Sequence, residues 1–413
     1  MIKPKLVSRF GVALMFIALL HHMFFCFVDS HFVHISSAVL MLTELLLLAF
    51  TALFFVTNAS SGYVVMLLAI LASSFILALF QHGFDPKFVR NLIIPVLMIW
   101  LGSQYDHHIA VDKLIKIMAW IVLAVGLFEL LLPDIFQQLF NIINFQISLG
   151  RSTEKALEYA ASSFSLNGTR YGGRNFLSFL GDHRVSSVFL ETVNVSNFST
   201  LLVAWGLSKN KLEGWLFILI GVVIAVLADS RFGTTLILLM MLMRYGLNPY
   251  LFKYIAYFMP LIVILACVIV GWDYHGFRDD FETRIGSTGH DLLQFHPSEF
   301  FGMYGVHTRL FMDQGYARIL HFHGLIILLV MWIGFCKLNV QKSAERFKYL
   351  IAVIISTNLA ISGDSVFAFK WVAIMWFILG TQLVKERKHQ AVPENPAAFS
   401  ETSFRFGIKN DRL

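Results

Sequence analysis

The basic residues of this chain are sorted by type, and the sorting points to chemistry. Taking the apolar segments in order from a basic N-terminus (Lys3, Lys5, Arg9), 13 of the 16 lysines fall on one side of a membrane and 10 of the 16 arginines on or at the edge of the other. These arginines are Arg90, Arg151, Arg170, Arg174, Arg184, Arg231, Arg278, Arg284, Arg309 and Arg318. Lysine obeys the rule that keeps positive charge in the cytoplasm. Arginine here defies it, which calls for a second cause. The planar guanidinium fork holds phosphate or carboxylate through paired hydrogen bonds, so the outer surface reads as built to hold an anion. Glu191 is the acid most exposed to suspicion, because it stands at the head of an apolar run in HRVSSVFLETVNVSNF. If that run is helical from its start, Arg184, Ser187, Glu191 and Asn194 share one face. An ionisable group in the outer third of a membrane is costly unless it faces a cavity or a partner. Glu191 therefore either belongs to a site or pairs with Arg184 or Arg231 to hold the bundle.

The elements that must position these groups are membrane helices. With 57% hydrophobic and 14% charged residues and a mean hydropathy of +0.70, the chain carries repeated apolar runs too long for a soluble domain. The fold expected is an all-α polytopic integral membrane protein of about twelve transmembrane helices, near residues 10–28, 35–57, 62–81, 91–105, 114–132, 185–207, 214–229, 232–247, 250–272, 317–336, 349–361 and 366–384. The first run carries His21 and His22 and lacks a small-residue cleavage site, so it is expected to stay as an anchor. The chain divides into N-terminal helices (1–132), a first long extracytoplasmic loop (133–184), central helices (185–272), a second long loop (273–316), C-terminal helices (317–388) and a disordered cytoplasmic tail (389–413). Both termini are placed in the cytoplasm. The first loop opens with an amphipathic stretch expected to lie flat on the membrane.

Several features weigh against other chemistries. The net charge of +6 is accounted for by membrane orientation, leaving no call for nucleic acid. Cys26, Cys267 and Cys336 lie in separate spans with no paired spacing, so neither disulfide nor metal is expected of them. Asp279, Asp280 and Glu282 sit beside Arg278 and Arg284 and read as self-neutralised; no metal and no cofactor are predicted. Lys370 with Asp364 reads as a structural ion pair or a snorkelling lysine.

The order of features resembles the Wzy-type bacterial polysaccharide polymerases and the related O-antigen ligases. The resemblance rests on HRVSSVFLETVNVSNF opening a mid-chain span, the hairpin DSRFG, a long outer loop, and MDQGYARILHFHGLI entering the next span. Arg170 and Gly181, and Arg278 and Gly289, also show the Arg-to-Gly spacing described in the outer loops of such polymerases. The ligase pattern fits less well, since His307 and Thr308 are followed by Gly315 and Gly324 at other distances. The resemblance implies a GT-C-like fold in the inner membrane and a metal-independent glycosyltransferase acting on undecaprenyl-pyrophosphate-linked oligosaccharide, with membrane lipid, a chain-length regulator and a flippase as partners. On that reading Arg184, Arg231, Arg278 and Arg309 bind the pyrophosphate. Glu191 or His307 is the base, Glu191 with a pKa raised by burial. Arg170, Arg174, Asn194, Asp313 and Tyr316 position the glycan. The alternatives are a ligase delivering glycan to lipid A core and, outside enzymes, a flippase or other transporter.

Overall fold

The computed structural model describes residues 4–81, 86–106, 110–151, 177–180, 183–209, 211–274, 276, 281–303, 314–362, 366–367 and 369–384. Arg170, Arg174, Arg278, Asp279, Asp280, His307, Arg309, Asp313 and Asp364 lie outside these residues. The helices all belong to one unit, Met1–Leu383; the second unit, Val384–Leu413, is undescribed apart from Val384.

Among the described residues the chain is helical, with an isolated bridge between Val340 and Leu383. In chain order the helices are α1 (Pro4–His31), α2 (Ser37–Asn58), α3 (Ser61–Phe80), α4 (Pro86–Ser103), α5 (Val111–Leu131), α6 (Pro133–Leu139), α7 (Ile142–Ser148), α8 (Thr192–Ser208), α9 (Lys211–Leu227), α10 (Arg231–Gly246), α11 (Pro249–Gly271), α12 (Phe281–Leu293), α13 (Pro297–Phe300), α14 (Gly315–Lys337), α15 (Glu345–Ile361) and α16 (Trp371–Thr381). Six of them, within α1, α2, α3, α5, α11 and α14, are long and apolar enough to cross a membrane. Their outward faces are apolar as well: Val56 is 76% and Ile269 73% exposed. A surface of that kind suits hydrocarbon and not water.

The centre of the bundle is α16, buried along its whole length and apolar on every side, the pattern of a helix surrounded by others. It lies against α4, where Gly102 and Gly380 let the two backbones touch; a Cβ on Gly102 would meet the carbonyl of Phe377. Close approach through small residues substitutes for the hydrophobic drive that lipid cannot supply.

Two sequence expectations change, at residues 184–191 and in the second long loop. Residues 184–191 are not helical: Ser187–Phe189 form a short 3₁₀ turn, Ser187 and Leu190 have positive φ, and Glu191 caps a helix that begins at Thr192. Arg184, Ser187, Glu191 and Asn194 therefore share no helical face. The amphipathic stretch after residue 133 is helical as α6 and α7, with Phe136, Phe140, Ile142 and Phe145 clustered with Cys26, Leu40 and Leu190. Part of the second expected loop is α12, packed closely on α11, where Gly289 approaches the carbonyl of Cys267 and Thr288 donates to Ala360 O at 2.8 Å. Finally, α14 is broken at Gly324, whose φ of 71° lets the turn after α13 press against it. Gln81 bridges the break, donating to Gly302 O at 2.7 Å and Phe322 O at 3.1 Å.

Candidate functional site

One end of the bundle gathers the C-terminus of α1, the N-termini of α2 and α4, the residue after α7, and the residues preceding α8 and α16. Glu191 sits there as the N-cap of α8. The turn that delivers it is tied down by Glu129 of α5. That fully buried carboxylate accepts from Ser186 N at 2.9 Å, Ser186 Oγ at 2.9 Å and Ser187 N at 2.6 Å, and pairs with His183 at 2.7 Å. Arg184 N-ε donates to Ala228 O at 3.2 Å, and Val185 N to Leu227 O at 3.1 Å, fastening the strap to the end of α9. A carboxylate satisfied by several donors at once in a dry interior can fix such a strained turn.

The Glu191 carboxylate meets two cations, Arg151 Nη1 at 2.6 Å and Lys370 Nζ at 3.0 Å, and also accepts from the Asn194 amide. Lys370 is 3% exposed and donates further to Phe189 O at 3.3 Å. Glu191 thus reaches its position with two positive partners, Arg151 and Lys370, neither of which the sequence had paired with it.

Beside this cluster lies a pocket of about 250 Å³ lined by His22, Glu44, Lys87, Arg90, Arg151 and Lys370, among others. Glu44, in the apolar α2, is 6% exposed and takes Arg90 Nη1 at 2.6 Å, with His21 Nε2 at 3.7 Å. Arg90 also reaches Asn91 Oδ1 at 3.1 Å. Arg90, Arg151 and Lys370 are set against the two carboxylates Glu44 and Glu191, and Lys87 lines the same pocket. At ~1.5 Å of rise per residue, His22 lies roughly 13 Å down α1 from His31, and Glu44 roughly 10 Å down α2 from Ser37. The pocket thus sinks from the bundle end into its apolar body, where fixed charges are weakly screened.

His21, His22 and Glu44 present ligand atoms within 4.8 Å of one another, the one such grouping among the described residues. Its fit to a divalent cation is poor, because Arg90 already holds Glu44 and the surrounding charge is positive.

Of the residues singled out in the sequence, the structure brings Glu191 and Asn194 together and leaves the other described ones apart. Arg184 serves the strap. Arg231 is exposed at the start of α10. Tyr316 is buried and donates to Ser356 O at 3.0 Å, a helix-to-helix tie. Lys370, read as an ion-pair partner of Asp364, pairs with Glu191. Arg90 and Arg151 were visible as outer arginines without a place in the site. His21, His22 and Glu44 carried a usable signal, being ionisable groups inside otherwise apolar runs. Compared with protein-family models, curated proteins and solved structures, the chain matches none.

Proposed function

We propose that this protein polymerises oligosaccharide repeat units carried on undecaprenyl pyrophosphate, building a surface or exopolysaccharide at the outer face of the bacterial inner membrane without a metal ion. The observation that carries the reading is the sunken cationic pocket, in which Arg90, Arg151 and Lys370 share the two carboxylates Glu44 and Glu191 and Lys87 joins the lining. In such a transfer the hydroxyl of the incoming unit attacks the anomeric carbon of the growing glycan. A new glycosidic bond forms, the bond to the pyrophosphate oxygen breaks, and negative charge collects on the leaving pyrophosphate. Cations held in place before the reaction, in a site poor in water, stabilise that charge most as it develops. Glu191, doubly ion-paired, orients Arg151 and Lys370 and is a poor proton acceptor. His22 lines the pocket and makes no ion pair among the described residues, so its neutral ring can accept a hydrogen bond from the attacking hydroxyl, whose proton passes to solvent as the pyrophosphate leaves.

The twelve-span topology with cytoplasmic termini belongs to the same reading. It draws support from a helix at each of the twelve apolar runs, and on it the pocket opens outward, where lipid-linked units are presented. Purified protein incubated with an undecaprenyl-pyrophosphate-linked repeat unit should produce a ladder of carrier-linked products, and chelator should leave the ladder intact. Transfer of preformed polymer to a lipid A core acceptor, with no ladder from repeat units, would replace polymerase with ligase.

A further inference from the structure

We propose that the opposite end of the bundle holds a binding site for the phosphate headgroup of an acidic membrane lipid. Helix α8 runs from Glu191 at the candidate site to Lys209 at the other end, a separation of roughly 25 Å. At that far end the α8–α9 connection, the α10–α11 connection and the entry to α15 enclose a cavity of about 970 Å³. Five basic residues line it, Lys209, Arg244, Lys253, Lys342 and Arg346, against the acids Glu213 and Glu345. Lys209 is neutralised by Asp112 at 3.1 Å. Among the described residues the other four have no ion-pair partner. Arg244 spends its Nε–H on Leu207 O at 3.2 Å, which fixes the guanidinium and leaves its terminal N–H groups for a ligand. Cations crowded into one concavity repel, and a phosphate relieves the repulsion while taking their hydrogen bonds.

The lipid source is argued from the wall beside the cavity. Along α11, Leu251, Tyr254, Phe258, Leu261 and Leu265 follow one another at helical spacing, and all are between 47% and 58% exposed. The stripe starts at the cavity, which Tyr250, Lys253 and Tyr254 line, and leads away from it along the helix. A headgroup in the basic cavity would therefore have an apolar track for its acyl chains. Basic pockets between helices at the cytoplasmic end suit acidic headgroups, and the lysine distribution assigns this end to the cytoplasm.

The test uses the full-length protein in detergent, with native mass spectrometry for lipid retention and thermal shift for stabilisation. The probes are cardiolipin, phosphatidylglycerol, phosphatidylcholine and inorganic pyrophosphate. The two acidic lipids should bind saturably and stabilise, and phosphatidylcholine should do neither. Either paired variant, Arg244→Gln with Arg346→Gln or Lys253→Gln with Lys342→Gln, should weaken acidic-lipid binding by about tenfold or more. The lysine pair is solvent-exposed, so it remains a usable test if the arginine pair impairs folding. Equal retention of phosphatidylcholine, equal stabilisation by inorganic pyrophosphate, or undiminished binding in the lysine pair would overturn the proposal.

Discussion

Glu191→Gln and Lys370→Met should be strongly non-additive, because the two side chains stabilise each other in a setting that neither tolerates alone. In the native protein Lys370 is 3% exposed and Glu191 is the carboxylate on it, at 3.0 Å, while Arg151 grips the same carboxylate from a position about half exposed. Glu191→Gln keeps the shape but leaves Lys370 charged, buried and without its counter-ion. Removing one partner of a buried pair costs ~3–5 kcal/mol; since Glu191 keeps 27% exposure, the lower end, about 3 kcal/mol, applies. Lys370→Met leaves Glu191 paired with Arg151 and removes a charge that was costly to bury, so its cost should be about 1 kcal/mol, one charge-assisted contact offset by that relief. The double variant removes the orphaned charge that made the first change expensive. Its cost should be about 2 kcal/mol where additivity gives about 4, a coupling of about 2 kcal/mol. The assay is reversible unfolding of the four proteins in mixed micelles, titrated with denaturing detergent and followed by tryptophan fluorescence. Costs that add to within about 0.5 kcal/mol would refute the reasoning, since groups in contact should couple by more than that.

Other outcomes follow from the same geometry. Arg90→Lys and Arg151→Lys should each lower polymerisation at least tenfold while the protein still inserts, because lysine lacks the fork that engages a carboxylate and a phosphate together; full rescue of both would reduce the site to general electrostatic attraction. In intact spheroplasts a cysteine at Phe179, 80% exposed, should react with an impermeant thiol reagent, and one at the exposed Ser343 should not. Labelling at Ser343 alone would invert the topology.

Composition and periodicity were sufficient for the helices, because a lipid solvent leaves the backbone few ways to satisfy its hydrogen bonds and demands long apolar runs. Each expected run met a helix, and two of the ten outer arginines, Arg90 and Arg151, line the pocket. What the sequence could not show was which charges meet. Glu191 and Lys370 are far apart in the chain, as are Glu44 and Arg90, and their pairing depends on how α1, α2, α4, α8 and α16 converge at one end. The local geometry around Glu191 was equally hidden. A helical face projected back to Arg184 assumed continuous helix, whereas the buried carboxylate of Glu129 draws the Ser186 and Ser187 amides out of helical pairing and makes a strap. A single distant carboxylate thus overrides the local period, and only packing brings it there.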